Sequence, residues 1–178
     1  MEITPEQQLI AQAKRGDVDA FEAILGASIT PAHRYACALL HDSSLAEDAV
    51  QEACVRAWRK LGRLRIGSPF QPWFLGIVAR QCHDQMRGRW WRMIRMPHAE
   101  AMRSDLPEDA ALRRAALREA LGELTERERQ VLILRLYIDL PWSDLASVVG
   151  LTEAGARTRY YRALERLRFT RDSQEVLT

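Results

Sequence analysis

Residues 143–168 have the sequence SDLASVVGLTEAGARTRYYRALERLR, which predicts two helices joined by a tight turn. Leu145 and Val149 would give the first helix an apolar side, and Gly150 supplies the small residue that the turn needs. Thr152 would cap the second helix. The residues of the second helix that recur at 3.6-residue spacing, and are expected to face the core, are Ala156, Tyr160, Ala163, Leu164 and Leu167. The pattern is typical of a helix-turn-helix.

The other face of this second helix is polar and basic. Its residues are Arg157, Thr158, Tyr161, Arg162 and Arg166. A helix that enters the DNA major groove needs base-reading side chains near its N-terminus and phosphate contacts around them. The segment therefore predicts a duplex-binding surface. Because helix-glycine-helix patterns are common, a helical hairpin with a solvated polar face is the alternative.

Charge is distributed unevenly along the chain. The net charge of +2 over 178 residues combines −6 in residues 1–54 with +9 in residues 55–95, then −4 in residues 96–156 and +3 in residues 157–178. Two basic segments separated by acidic ones predict two surfaces for a polyanion. Arginine accounts for 24 of the 26 basic residues. Arginine suits bidentate contacts with phosphate and guanine, although a GC-rich genome would also favour it.

Aromatic side chains interleave with arginines in the basic segment 55–95, at Trp58, Phe70, Trp73, Phe74, Trp90 and Trp91. Single-stranded nucleic acid is bound by such a mixture, since bases stack on rings and phosphates pair with guanidinium groups. Trp58 and Phe74 fall at core spacing, which favours packing. Phe70 and Trp73 lie beside a Gly-Ser turn and fit either role. The segment predicts a second nucleic-acid surface.

Helical signals run through almost the whole chain. Capping boxes are predicted at Thr4–Gln7, Ser44–Glu47 and Thr125–Glu128. The predicted helices are 5–15, 18–26, 31–40, 44–61, 69–91, 109–121, 126–137, 142–149 and 152–168. Alternating strand patterns and solenoid repeats are absent from the sequence. The predicted fold class is all-α.

One segment interrupts the helical periodicity. Residues 96–109 contain Pro97 and Pro107 and lack a sustained apolar pattern. We expect a short linker here, which joins two small helical domains, 1–95 and 110–178.

Several function classes are disfavoured by the sequence. The sequence contains no run of eighteen apolar residues that would predict a membrane span, and its N-terminus lacks the layout of a secretory signal. We therefore expect a cytoplasmic protein without membrane insertion. Cys37, Cys54 and Cys82 fit neither a disulfide framework nor a zinc pattern and are expected to be buried thiols. Without a phosphate loop, nucleophile elbow or metal-ligand pair, we expect no catalytic residue, no metal and no cofactor.

Three segments in order resemble parts of the bacterial sigma factors of RNA polymerase. Residues 45–58, LAEDAVQEACVRAW, are similar to the helix that binds core polymerase. Residues 70–87 are similar to the helix that melts the −10 promoter element, and residues 124–168 resemble the −35-binding domain. The likeness covers about residues 5–95 and 110–168 and includes only two sigma domains, regions 2 and 4. It therefore indicates the extracytoplasmic-function (ECF) group of the sigma-70 family.

The resemblance implies a role for each surface. Asp48, Gln51 and Glu52 would dock on the clamp helices of the polymerase largest subunit. The opened single strand at −10 would be captured, and one base flipped, by Arg65, Phe70, Trp73, Arg80, Asp84 and Arg87. The −35 duplex would be bound by Thr152, Arg157, Thr158, Tyr161, Arg162 and Arg166. Melting would be driven by binding rather than by ATP hydrolysis, and an anti-sigma factor is the expected inhibitor.

Two residues depart from the family pattern. Arg80 stands four residues before Asp84, where the family usually has Asn, which implies an unusual −10 preference. Gly155 lies one residue later than the usual small residue of the recognition helix.

A conventional helix-turn-helix regulator is the alternative function. Its N-terminal half would be an effector or dimerisation domain. This alternative explains the C-terminal half but gives no role to the basic, aromatic segment 55–95.

Overall fold

The computed structural model describes residues 4–95 and 124–175, together with Gly122, and describes side chains in residues 4–87 and 124–168. All regular secondary structure in these ranges is helical, which confirms the predicted all-α class. The expected linker, 96–109, and the expected helix 109–121 lie outside the described residues. None of the helices described is long and apolar enough to cross a membrane.

Four helices build the first domain: α1 (Pro5–Lys14), α2 (Val18–Leu40), α3 (Ser43–Lys60) and α4 (Phe70–Arg95). A 3₁₀ turn, Leu61–Arg63, follows α3. The long helix α2 packs against the other three. The core between them contains the fully buried side chains Tyr35, Leu39, Phe70, Phe74, Leu75 and Val78.

Helix α2 is continuous through Pro31, so the predicted break after Gly26 is wrong. A proline inside a helix costs about 3 kcal/mol, because it removes a hydrogen bond and crowds the preceding turn. Phe21 and Ile24 before the proline, and Tyr35 after it, are all buried in the same core. Burial of large side chains on both sides, at about 1.5–3 kcal/mol each, offsets that cost.

The ends of α3 also differ from the prediction. Asp42, not Ser44, is the N-cap, and its carboxylate accepts the Leu45 amide at 3.0 Å. Glu47 accepts a hydrogen bond from the Gln51 side chain instead of closing a capping box. At the other end α3 stops at Lys60, one residue before the predicted end, and passes into the 3₁₀ turn.

Helix α4 begins at Phe70, one residue after the predicted start. The Phe70 amide donates to Glu6 Oε1 of α1 at 3.0 Å. A distant side chain therefore satisfies one of the free amides at this helix end.

Within residues 124–175, the described part of the second domain, the α-helices are α5 (Glu126–Leu132), α6 (Trp142–Val149) and α7 (Glu153–Glu175). A π-helical turn, Ile133–Tyr137, extends α5. Both hydrogen bonds of the predicted Thr125–Glu128 capping box are present. Gly150 adopts a left-handed conformation, φ 67°, at the turn between α6 and α7. Because L side chains rarely adopt this conformation, glycine is favoured there.

The two domains pack directly against each other through α4 and α6. A Cβ atom placed on Gly76 of α4 would lie 3.9 Å from the Val148 carbonyl oxygen of α6. Most buried residues of the two domains form one contiguous apolar cluster, while Leu124, Leu132 and Ala163 form a second, smaller one. The described residues therefore share a core across the domain boundary.

Candidate polymerase and DNA interfaces

The acidic face of α3 is directed to solvent. Asp48, Gln51 and Glu52 are all exposed, at the i, i+3 and i+4 positions that share a helix face. Glu52 Oε1 accepts from Arg56 Nε at 2.9 Å. The opposite face of α3 is buried and consists of Ala46, Ala49, Val50, Ala53 and Ala57. The backbone beneath the acidic face is thus fixed, while its carboxylates remain accessible.

A polar stripe runs along α4. Trp73, Arg80, Asp84 and Arg87 follow one another in steps of seven, four and three residues, which places them on one helix face. The three charged residues are exposed, and Trp73 is half-buried. Arg65 is exposed in the connection between α3 and α4. The fold brings the −10 candidates of α4 together, apart from Phe70.

Phe70 cannot stack on a base in this structure, because it is fully buried. Its ring stacks on Phe74, with centroids 5.6 Å apart, and contacts Phe21 edge-on at 6.1 Å. The assignment of Phe70 to the −10 surface is therefore wrong, since α1 and α2 cover this end of α4. Trp58 is 37% exposed and packs on Phe21 at 5.1 Å, so its predicted packing role holds.

A groove of about 260 Å³ lies beside the polar stripe. Its polar and aromatic lining residues are Arg56, Lys60, Trp73, Arg80, Gln81 and Ser147. Gln81 is only 4% exposed, and its amide nitrogen has no hydrogen-bond partner among the described residues. A basic groove with one aromatic wall suits a nucleic-acid strand. Gln81 lies on the buried face of α4, so helical periodicity alone indicates a core position for it.

The exposed face of α7 carries Arg157, Thr158, Tyr161 and Arg162. Tyr161 is 58% exposed. Thr158 Oγ1 donates to the Ala154 carbonyl at 2.9 Å. The opposite face is closed against the domain by Ala156 and Ala163, both fully buried, which agrees with the predicted periodicity.

Two other −35 candidates stabilise the helix itself. Thr152 Oγ1 accepts the Gly155 amide at 3.1 Å, which caps α7. A Cβ atom on Gly155 would also lie 3.1 Å from that oxygen, which explains glycine at this position. Arg166 Nη1 donates to Glu128 Oε2 at 3.3 Å and ties α7 to α5.

Sequence patterns predicted no functional role for Trp142, which lies under the charged side of α7. Arg157 Cζ is 4.7 Å from the centre of the Trp142 ring, and Arg135 Cζ is 5.3 Å from it. Both are cation–π distances. The only sequence signal is an aromatic residue directly after Pro141, at the start of α6.

The perturbed titratable groups are structural. Burial raises the pKa of the Cys82 thiol to about 12, and burial likewise raises the pKa of Tyr35. Cys37 and Cys54 are half-buried, so the prediction of buried thiols holds only for Cys82. Burial acts to raise the pKa of Glu128, but hydrogen bonds from Thr125 and the nearby Arg166 and Arg159 leave it lowered. Within the described residues no group of three His, Cys, Asp or Glu side chains could hold a metal ion.

Two parts of the chain match known protein families. The sigma-70 region 2 family matches residues 29–92, and the sigma-70 region 4 family matches residues 114–167. The RNA polymerase sigma-H factor of Pseudomonas aeruginosa is 29% identical over 174 residues, which cover 90% of each chain. The ECF RNA polymerase sigma factor SigD of Mycobacterium tuberculosis is 31% identical over 173 residues, covering 90% of this chain and 81% of SigD.

Solved structures show the same fold. CnrH, in complex with the cytosolic domain of CnrY, aligns with a TM-score of 0.74 at 23% identity, over 94% of this chain and 97% of CnrH. RpoE of Bartonella quintana, in complex with the anti-sigma factor NepR, aligns with a TM-score of 0.68 at 24% identity, over 83% and 93% of the two chains. The chain belongs to the ECF group of the sigma-70 family. It is an RNA polymerase sigma factor, a transcription initiation protein that binds core polymerase and promoter DNA, and the conventional-regulator alternative is not favoured.

Proposed function

We propose that residues 1–95 bind core polymerase and open the −10 element, that residues 96–109 are a linker, and that residues 110–178 bind the −35 element. The matched family regions, 29–92 and 114–167, fall within the two outer segments. The function needs no catalytic residue, and it places the protein in the cytoplasm, where RNA polymerase acts.

Asp48, Gln51 and Glu52 form the proposed polymerase contact. The exposed carboxylates suit an arginine-rich partner such as the clamp helices of the largest subunit, since charge-assisted hydrogen bonds are roughly twice as strong as neutral ones. The buried alanine face of α3 supports this role, because it holds the acidic face rigid.

Arg65, Trp73, Arg80, Asp84 and Arg87 form the proposed −10 surface. The observation that carries this assignment is the basic groove beside Trp73 and Arg80. Bases stack on an aromatic wall while phosphates pair with the arginines, and the binding energy of the opened strand drives melting. The long, charged Arg80 in place of the usual Asn is proposed to alter the base preference.

Arg157, Thr158, Tyr161 and Arg162 form the proposed −35 surface. They are exposed together on the second helix of a helix-turn-helix, which is the element that enters the major groove. Thr152 and Arg166 contribute by holding α7 in place.

An anti-sigma factor is the proposed inhibitor. RpoE of Bartonella quintana, which shares this fold, was solved with its anti-sigma factor NepR. A protein that covers both domains of this chain would block its DNA and polymerase surfaces together.

Abortive transcription separates the two DNA surfaces. The holoenzyme is assembled on a promoter selected from a random library, supplied either as duplex or already melted at −10. Trp73→Ala is expected to reduce activity on the duplex and to recover part of it on the melted template. Arg162→Ala is expected to reduce activity on both. Arg15→Ala, an exposed arginine at the end of α1, is the matched control. If both test variants respond identically to melting, the proposed division is wrong.

A further inference from the structure

We propose that Trp142 is a positioning residue, whose ring holds the Arg157 guanidinium in place for a phosphate of the −35 duplex. The inference rests on the proposed −35 surface, and it assigns Arg157 to the DNA backbone rather than to a base edge.

Arg135 fixes the segment that leads to Trp142. Arg135 Nη1 donates to Asp139 Oδ1 and to the Leu140 carbonyl, both at 3.0 Å. Asp139 adopts a left-handed conformation, φ 56°. These bonds hold the turn before α6, so the position of the indole is set by the domain itself.

The Trp142 ring is also held from its side. Tyr160 contacts it edge-on, with centroids 5.3 Å apart and planes at 83°. Tyr161 contacts Tyr160 in the same manner at 5.3 Å and is exposed on the proposed DNA face. Trp142 is therefore a fixed platform next to that face.

The Arg157 guanidinium packs on the Trp142 ring, and this contact leaves its N–H donors available. Its guanidinium carbon lies 4.7 Å from the ring centre, the side chain is exposed, and no described residue accepts a hydrogen bond from it. A cation–π contact uses the charge of a guanidinium but none of its five N–H donors. A guanidinium held without hydrogen bonds is ready to bind an anion.

The direction of Arg157 favours the DNA backbone. Trp142 is the first residue of α6, which is the first helix of the helix-turn-helix. In this motif the second helix enters the major groove, while the first helix crosses the backbone. The Arg157 side chain extends from α7 toward Trp142 at the start of α6. This direction brings its guanidinium to the phosphates at the edge of the groove.

Salt dependence of holoenzyme binding tests the proposal. One phosphate contact contributes about 0.9 to the slope of log K against log salt, and about fivefold in affinity at 0.15 M salt. Arg157→Ala is expected to lower the salt slope by about 0.9 and the affinity about fivefold, equally on every promoter sequence. Trp142→Leu is expected to lose about two- to fivefold, the contribution of one partly exposed cation–π contact. Trp142→Phe keeps an aromatic face and is expected to retain most of the affinity.

A double-mutant cycle separates positioning from general stability. In the Arg157→Ala background, replacing Trp142 is expected to cause little further loss. Independent, additive losses would overturn the positioning role. If Trp142→Leu fails to fold, the cycle is made with Trp142→Met, which also removes the aromatic face. A changed preference at one base pair, with an unchanged salt slope, would show that Arg157 contacts a base and would overturn the phosphate assignment.

The same measurements distinguish this inference from the proposed function. If Arg162→Ala weakens duplex binding and Arg157→Ala does not, the −35 surface stands and the phosphate contact is wrong. If neither variant weakens it, the −35 surface itself is wrong.

Discussion

His83 Nδ1 lies 3.0 Å from both carboxylate oxygens of Glu126, and this contact joins α4 of the first domain to the start of α5 in the second. Glu126 also accepts a hydrogen bond from Gln130 at 3.1 Å, which orients its carboxylate. Both side chains are more than a third exposed, at 44% for His83 and 35% for Glu126. Exposed pairs contribute about 0.2–1 kcal/mol, so the buried apolar contacts between α4 and α6 dominate the interface.

We expect a small but measurable coupling between these two residues. His83→Ala and Glu126→Gln, singly and together, are compared by urea unfolding. The coupling free energy is expected to be about 0.2–1 kcal/mol. Glu126→Gln keeps an amide oxygen that accepts from Gln130 and from His83, so the cycle measures the part of the inter-domain contact that depends on the Glu126 charge. Additive effects would show that this contact does not stabilise the arrangement.

Charge reversal on α3 is expected to weaken polymerase binding without unfolding the chain. Asp48→Arg places a cation where the proposed partner surface is basic, and we expect a loss of at least about 1 kcal/mol in affinity, roughly fivefold. Stability should change by less than about 0.5 kcal/mol, because Asp48 is exposed. Competition with labelled wild-type protein for core polymerase measures the effect. Glu22→Arg, an equally exposed reversal on α2, should compete as wild type does.

Phe70→Ala is expected to destabilise the first domain by about 3–5 kcal/mol, the usual cost of removing a buried phenylalanine. The ring is fully buried between Phe74 and Phe21. Trp73→Ala should cost less, because Trp73 is only half-buried. Urea unfolding measures both. A Phe70→Ala protein of native stability would contradict the core assignment.

Alkaline pH is expected to destabilise the protein through Cys82. Its pKa rises from 9.0 to about 12 on folding, so the stability it contributes is complete below pH 9 and is lost as pH rises toward 12. Between these values the unfolded chain releases a proton that the folded chain retains. Cys82→Ala should therefore show a shallower fall in unfolding free energy over this range than wild type. Identical slopes for the two proteins would contradict the burial effect.

Local patterns predicted most helices, because capping boxes and apolar periodicity act within a few residues. The Thr125–Glu128 box and the turn at Gly150 are found as expected. The continuity of α2 through Pro31 and the burial of Phe70 were missed, since both depend on packing between distant helices.

The candidate sites show the same difference between what local patterns predict and what depends on tertiary packing. Helical spacing placed Arg157 and Arg162 on one exposed face of α7. The Trp142 platform, and the approach of α6 to the groove beside α4, arise from tertiary contacts that no spacing encodes.

Ser147 of α6 and Trp73 of α4 line the same groove, and this closeness limits the distance between DNA sites that the two helices can reach together. Promoter elements centred at −35 and −10 are about 25 base pairs apart, or about 85 Å of duplex at 3.4 Å per pair. A helix-turn-helix that forms a wall of the proposed −10 groove cannot at the same time occupy DNA at that distance. Engagement of both elements therefore requires α4 and α6 to separate, which exposes the apolar surface they now cover. The arrangement of α4 and α6 described here is thus too short for both proposed DNA contacts at once, and we expect binding to core polymerase to separate the two helices.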